Sequence, residues 1–145
     1  AATQTGAQTL GCLINGEPWL PPSIGPNRPN AFYQFVDGAY TLGISGTSEE
    51  GQFSRAIRFG GIDVVEEITT GTYILQNDDP DNYFGAVTLE EFQLNTSTTD
   101  GNPGVLTITR FDDSIISGTF AFTVLDNDGN EITITDGRFD LNYTN

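Results

Sequence analysis

The sequence predicts an all-β protein, an antiparallel β-sandwich or flattened barrel of roughly eight to ten strands. Three observations carry this. Short apolar or alternating runs recur between turn clusters at nearly regular intervals. Thr, Gly, Asn and Phe are abundant and lysine is absent, a composition that suits pleated strands and tight turns better than helices. A chain of 145 residues fits one domain with a real core. Residues 1–8 are expected to form an extended N-terminal segment, and residues 9–145 a single β domain.

In chain order, strands are expected at Leu10 to Asn15, Phe32 to Val36, Ala39 to Ser45, Phe53 to Phe59, Thr72 to Gln76, Tyr83 to Leu94, Val105 to Phe111, Ile115 to Leu125 and Glu131 to Tyr143. Asn15-Gly16 is a hairpin signal leading into Pro18-Trp19. Trp19, beside that turn, suits the end of a core, with a ligand platform as the alternative. The segments Pro21 to Pro29, Gly46 to Gly51, Asn77 to Asn82 and Asn95 to Gly104 are rich in turn formers. Ile62 to Ile68 fits a strand or a single helical turn, since Asp63-Val64-Val65-Glu66-Glu67 suits neither period.

The last third permits a register argument and predicts meander connections. A two-residue turn on Asp128-Gly129 would put the apolar sets of the flanking strands on opposite faces. A three-residue loop, Asn127-Asp128-Gly129 with Gly129 left-handed, instead pairs Val124 with Ile132 and Phe122 with Ile134. Apolar parity then flips from Ile132 and Ile134 to Phe139, Leu141 and Tyr143. Asp136-Gly137 between them is either a bulge in one long strand or another hairpin turn. The bulge uses the full length of Ile115 to Leu125, and places Phe139 over Gly118 and Leu141 opposite Ile116.

Composition excludes whole chemistries. Without histidine there is no Ser-His-Asp triad and no His-ligated zinc or haem, and without lysine no Schiff base and no P-loop lysine. Cys12 is the one cysteine, so it forms no internal disulfide, and its run Leu10 to Ile14 predicts a small buried side chain. The net charge of −15 argues against nucleic acid and anionic membrane surfaces as partners. The pairs Glu49-Glu50, Glu66-Glu67, Glu90-Glu91 and Asp112-Asp113 are candidate acids. Adjacent acids on a strand point to opposite faces, so none is expected to be a ready-made dyad. Arg110 shares the parity of Leu106 and Ile108, which predicts a packed stem and a head paired with an acid at the core rim, with an anion-binding role as the alternative.

Two loops concentrate oxygen ligands, Asn77 to Asn82 and Asp126 to Glu131. The second resembles the start of an EF-hand loop but has Gly137 where the distal bidentate Glu belongs, so neither is expected to hold a structural calcium. No catalytic residue, metal ligand or cofactor is assigned, and the ligand-binding residues stay undefined.

Thr3-Gln4-Thr5-Gly6, then Thr9 to Gly16 with Trp19, resembles the opening of a family of uncharacterised bacterial lipoproteins, whose mature domains begin with a TQTG segment and a GCLVNG-x-x-W motif. Ile116 to Phe122 and Ile134 to Asp140 are similar to that family's ISGTF and ITDGRF ends. The resemblance implies a signal peptide and lipidated cysteine upstream of the TQTG segment. It therefore implies export to the bacterial cell envelope, at the outer membrane or cell surface, with membrane contact only through that anchor. It implies no activity. The expected function is a non-enzymatic binding or display module for an unknown protein, glycan or lipid. The alternatives are a carboxylate-only hydrolase acting on a glycan and a structural component of a surface assembly.

Overall fold

The structure is a computed structural model that describes residues 6–22, 25, 28–50 and 53–144. The all-β prediction holds. The described residues form one curled sheet of eleven strands, a half-barrel, so of the two expected architectures the barrel is the one approached. The strands are β1 (Thr9–Ile14), β2 (Glu17–Trp19), β3 (Asn30–Val36), β4 (Ala39–Glu50), β5 (Phe53–Val64), β6 (Gly71–Leu75), β7 (Asn82–Leu89), β8 (Leu94–Ser97), β9 (Gly104–Phe111), β10 (Ile115–Leu125) and β11 (Glu131–Asn142). Their order is β2-β1-β11-β10-β9-β6-β7-β5-β4-β3, with β8 beside β7.

Curling brings the far side of the sheet back against the C-terminal end of β11. The Tyr33 amide donates to the Thr144 carbonyl at 2.8 Å, and the Thr144 amide to the Ala31 carbonyl at 3.0 Å. The concave side is the core. Phe59 of β5 stacks on Phe120 of β10 at 4.2 Å between centroids and meets Phe139 of β11 at 5.3 Å, so rings from distant strands fill the centre.

The C-terminal meander has the expected register. Val124 pairs with Ile132 and Phe122 with Ile134, Gly129 has a φ of 84°, and Asp126 and Asn130 close the three-residue loop. Asp136-Gly137 is the bulge: the register shifts between Phe120 and Phe122, Asp136 takes a φ of 52°, and Gly118 faces Phe139. A Cβ at Gly118 would collide with the Thr107 carbonyl and the Phe139 ring, so the glycine is what lets that ring lie down.

Elsewhere the expected boundaries need correction. β4 runs on to Glu50, through Gly46 to Glu50 that composition marks as a turn, because it stays paired with β5 to its end. The expected strand from Tyr83 to Leu94 breaks at a 3-10 turn, Glu90–Phe92, followed by β8. β8 is short and pairs antiparallel with β7. β6 and β7 meet as a parallel pair at Leu75 and Tyr83 alone, so the sheet is mixed and opens between them. Thr98, buried beside this opening, stitches it: its hydroxyl donates to the Gln76 carbonyl at 2.5 Å and accepts from the Gly85 amide at 3.0 Å. The chain from Pro21 to Pro29 lies partly outside the described residues, as do Thr3 to Thr5 and Gly51.

Candidate functional site

Several singled-out side chains serve the fold. Trp19 is buried at the end of the core, and its Nε1 donates to the Arg55 carbonyl at 3.2 Å, which favours packing over a ligand platform. Cys12 is buried, and desolvation pushes its thiol up to about 12, with Arg138 pulling the other way, which disfavours the thiolate. Arg110 departs from the core face that the parity of Leu106 and Ile108 predicts: a bulge at Thr109 brings it opposite Ser117, on the Asp140 side, while Phe111 takes the core side opposite Ile116. The expected acid pairing is present, with the Arg110 Nε 2.7 Å from Asp112 Oδ2.

The acid pairs separate into different fates. Glu90 and Glu91 lie on the 3-10 turn rather than on a strand, and both reach back to β5: Ser54 Oγ donates to Glu90 at 3.1 Å and Arg55 Nε to Glu91 at 2.6 Å. Asp112 accepts the Ser114 and Ile115 amides at 3.0 and 2.9 Å besides Arg110. Those amide bonds, with the guanidinium, hold its carboxyl down at about 2. In the loop Asp126 to Glu131, Asp126 Oδ1 accepts the amides of Asp128 and Asn130, both at 2.9 Å, which lowers its pKa; the carboxylate serves the turn. In Asn77 to Asn82, Asn77 Oδ1 accepts the Asp100 amide at 3.2 Å and Asp81 Oδ1 the Val65 amide at 3.0 Å.

Asp140 is the acid that strand parity misplaces. It lies on the convex side of β11, where alternation predicts solvent, yet it is fully buried. The N-terminal segment covers it: Asp140 accepts the Gly6 amide at 2.6 Å, the Ala7 amide at 3.0 Å and the Ser117 hydroxyl at 2.7 Å. Gln8 Oε1 accepts the Asn142 amide at 2.9 Å one step further on. Residues of the two sequence ends therefore converge on one buried carboxylate.

Glu66-Glu67 differs from these. β5 ends at Val64, so the two residues lie in the following loop, and the strand-face argument does not apply to them. Both line one cleft of about 550 Å³, together with Thr69, Tyr73, Asp81 and Tyr83. The cleft opens where β5 ends and β6 parts from β7. Ile68 is buried in the core and pins the loop, and the Tyr73 hydroxyl pins it again, donating to the Thr69 carbonyl at 2.6 Å and accepting the Thr69 amide at 3.1 Å. Tyr73 and Tyr83 stack at 4.3 Å. Burial raises the Tyr83 phenol, and Tyr73 and Glu66 raise it further, so it stays a neutral donor.

All five tyrosines gather at this end of the half-barrel. Tyr33 packs with Tyr40 at 5.9 Å, with Phe111 at 4.9 Å and with Tyr143 at 6.2 Å. Burial, foremost, raises the Tyr33 phenol, and it faces Glu67. The five are scattered from Tyr33 to Tyr143 in sequence, and strand order alone brings them together. No protein-family description, curated protein or solved structure matches the chain.

Proposed function

We propose that the protein is a non-enzymatic binding domain, held outside the inner membrane, and that the tyrosine end carries its binding cleft. The observation that supports this most directly is the contrast in how the carboxylates are used. Those of Asp112, Asp126 and Asp140 are taken up by backbone amides, whereas Glu66 and Glu67 are exposed beside a stacked tyrosine pair. Aromatic faces with a few convergent polar groups are the usual lining of a ligand cleft. Because carboxylates and no cation line it, the cleft suits neutral or cationic ligands over anions, and a neutral glycan offers hydroxyl donors to the acids and apolar faces to the rings. The lipoprotein resemblance supports the envelope location.

The test is retention of the protein on envelope polysaccharide, lipid vesicles and envelope protein immobilised separately. Retention on one of them, lost in the Glu66→Gln/Glu67→Gln double variant and without turnover of the bound material, is expected. Failure on all three overturns the reading. A second reading is favoured by the same cleft: three carboxylates beside two tyrosines are the raw material of a carboxylate-only glycan hydrolase. Release of new reducing ends, abolished by Glu66→Gln or Glu67→Gln, would establish that reading in place of the first.

A further inference from the structure

The convex side of the sheet carries a second cavity, separate from the tyrosine cleft and built from different strands. Register aligns Phe32 of β3, Gly43 of β4, Gly60 of β5 and Phe84 of β7 in one row across four strands. Two phenylalanines thus flank two glycines, with about 14 Å between the outer strands at ordinary strand spacing. The ring of Phe32 leans over Gly43, where any Cβ would strike it. Neither Phe32 nor Phe84 belongs to the core cluster, which lies on the other face with Leu42, Ile44 and Phe59. Between the rings lies a groove of about 240 Å³ whose lining includes Gly43, Gly61, Ser45 and Arg58.

Arg58 is the polar feature of the groove. Its guanidinium carbon lies 5.8 Å from the centroid of the Phe84 ring, and among the described residues no carboxylate pairs with it. In a chain with twenty acids and five arginines, that leaves a forked donor facing solvent above an aromatic ring. A guanidinium over a ring at cation–π distance still has N–H groups for bidentate contact with a carboxylate. The volume is below the usual range for drug-sized ligands, so it suits one ring-sized unit.

We propose that this groove binds a six-membered ring bearing a carboxylate, the ring lying between Phe32 and Phe84 and the carboxylate on the fork of Arg58. A uronic acid of an acidic polysaccharide and a small aromatic acid share that chemistry. The net charge of −15 opposes the approach of an anion at long range, but screening confines that field to about 8 Å at physiological ionic strength.

The experiment titrates the 15N-labelled full chain with galacturonic acid, benzoate and neutral galactose, and follows the amides of Gly43 and Gly61 and the Nε of Arg58. Shifts with galacturonic acid or benzoate, and at least ~10-fold weaker with galactose, are expected. The arm that binds more tightly identifies the source of the ring. Arg58→Lys, which keeps the charge and loses the fork, should weaken binding several-fold, and Arg58→Ala should abolish it with the spectrum otherwise unchanged. Equal binding of galactose, undiminished binding to Arg58→Ala, or no shift with either acid overturns the proposal. The cleft reading is untouched by any of these results, because Glu66 and Glu67 take no part in them.

Discussion

Asp140 and the Glu66-Glu67 pair are carboxylates in opposite circumstances. Asp140 lies on an inner strand of the sheet, sealed beneath residues 6–8, and its oxygens accept the Gly6 and Ala7 amides and the Ser117 hydroxyl. Glu66 and Glu67 lie past the end of a strand, in a loop fastened by Ile68 and Tyr73 so that the acids themselves are left toward solvent. A buried carboxylate that accepts backbone amides holds chain segments together, and losing it strands the donors without partners. An exposed carboxylate in an anchored loop costs the fold little and stays available to a ligand. Burial and the identity of the donors, more than the residue type, separate the structural acid from the functional one.

Substitutions at the two places sharpen the contrast. Asp140→Ala has the largest expected effect: it orphans the Gly6 and Ala7 amides and the Ser117 hydroxyl, and should cost about 3 kcal/mol. Urea unfolding should show a lower midpoint at an unchanged slope. Ser117→Ala removes one charged-acceptor bond and should cost roughly 1.5 kcal/mol by the same measurement.

Asp112 is a third kind, an exposed acid engaged by amides, and it offers a pH test. Its carboxyl is depressed from 3.8 to about 2, so the stability it contributes is present above pH 3.8 and lost as the pH falls through about 2. Carboxyl NMR should find its midpoint near 2, and Asp112→Asn should be less stable than the parent at pH 6 while the gap closes between pH 4 and 2. A midpoint near 3.8 would mean that the turn bonds to Ser114 and Ile115 do not form in solution. Glu66→Gln and Glu67→Gln have the smallest expected effect on stability, within about 0.5 kcal/mol.

Much of the fold was legible because its signals are local. In the C-terminal meander, alternation fixes which residues face inward, and a turn carrying Asp128-Gly129 limits how many residues the loop can hold, so register follows from Val124, Ile132 and Phe122 alone. β8 was not legible, since four residues with two apparent turn formers, Asn95 and Ser97, carry too little pattern. The run of β4 beyond Ser45 was hidden for a related reason: Gly46, Thr47 and Ser48 look like a turn until the partner strand is known. The sites depend on distant pairing. Asp140 is exposed by every rule of alternation, and becomes buried only when Gly6 and Ala7 cross it. The tyrosine cluster and the row from Phe32 to Phe84 likewise exist only through strand order, which neither composition nor spacing encodes locally.

The central claim is that the sealed and open carboxylates have separable roles. The most direct test measures thermal unfolding and retention on the bound envelope fraction in the same samples of Ser117→Ala and Glu66→Gln/Glu67→Gln. The account predicts that Ser117→Ala melts several degrees lower and binds as the parent does below its transition, whereas the double variant keeps its Tm within about 2 °C and loses retention. A double variant that melts as low as Ser117→Ala while still binding would contradict it, because the cleft acids would then be holding the fold and not the ligand.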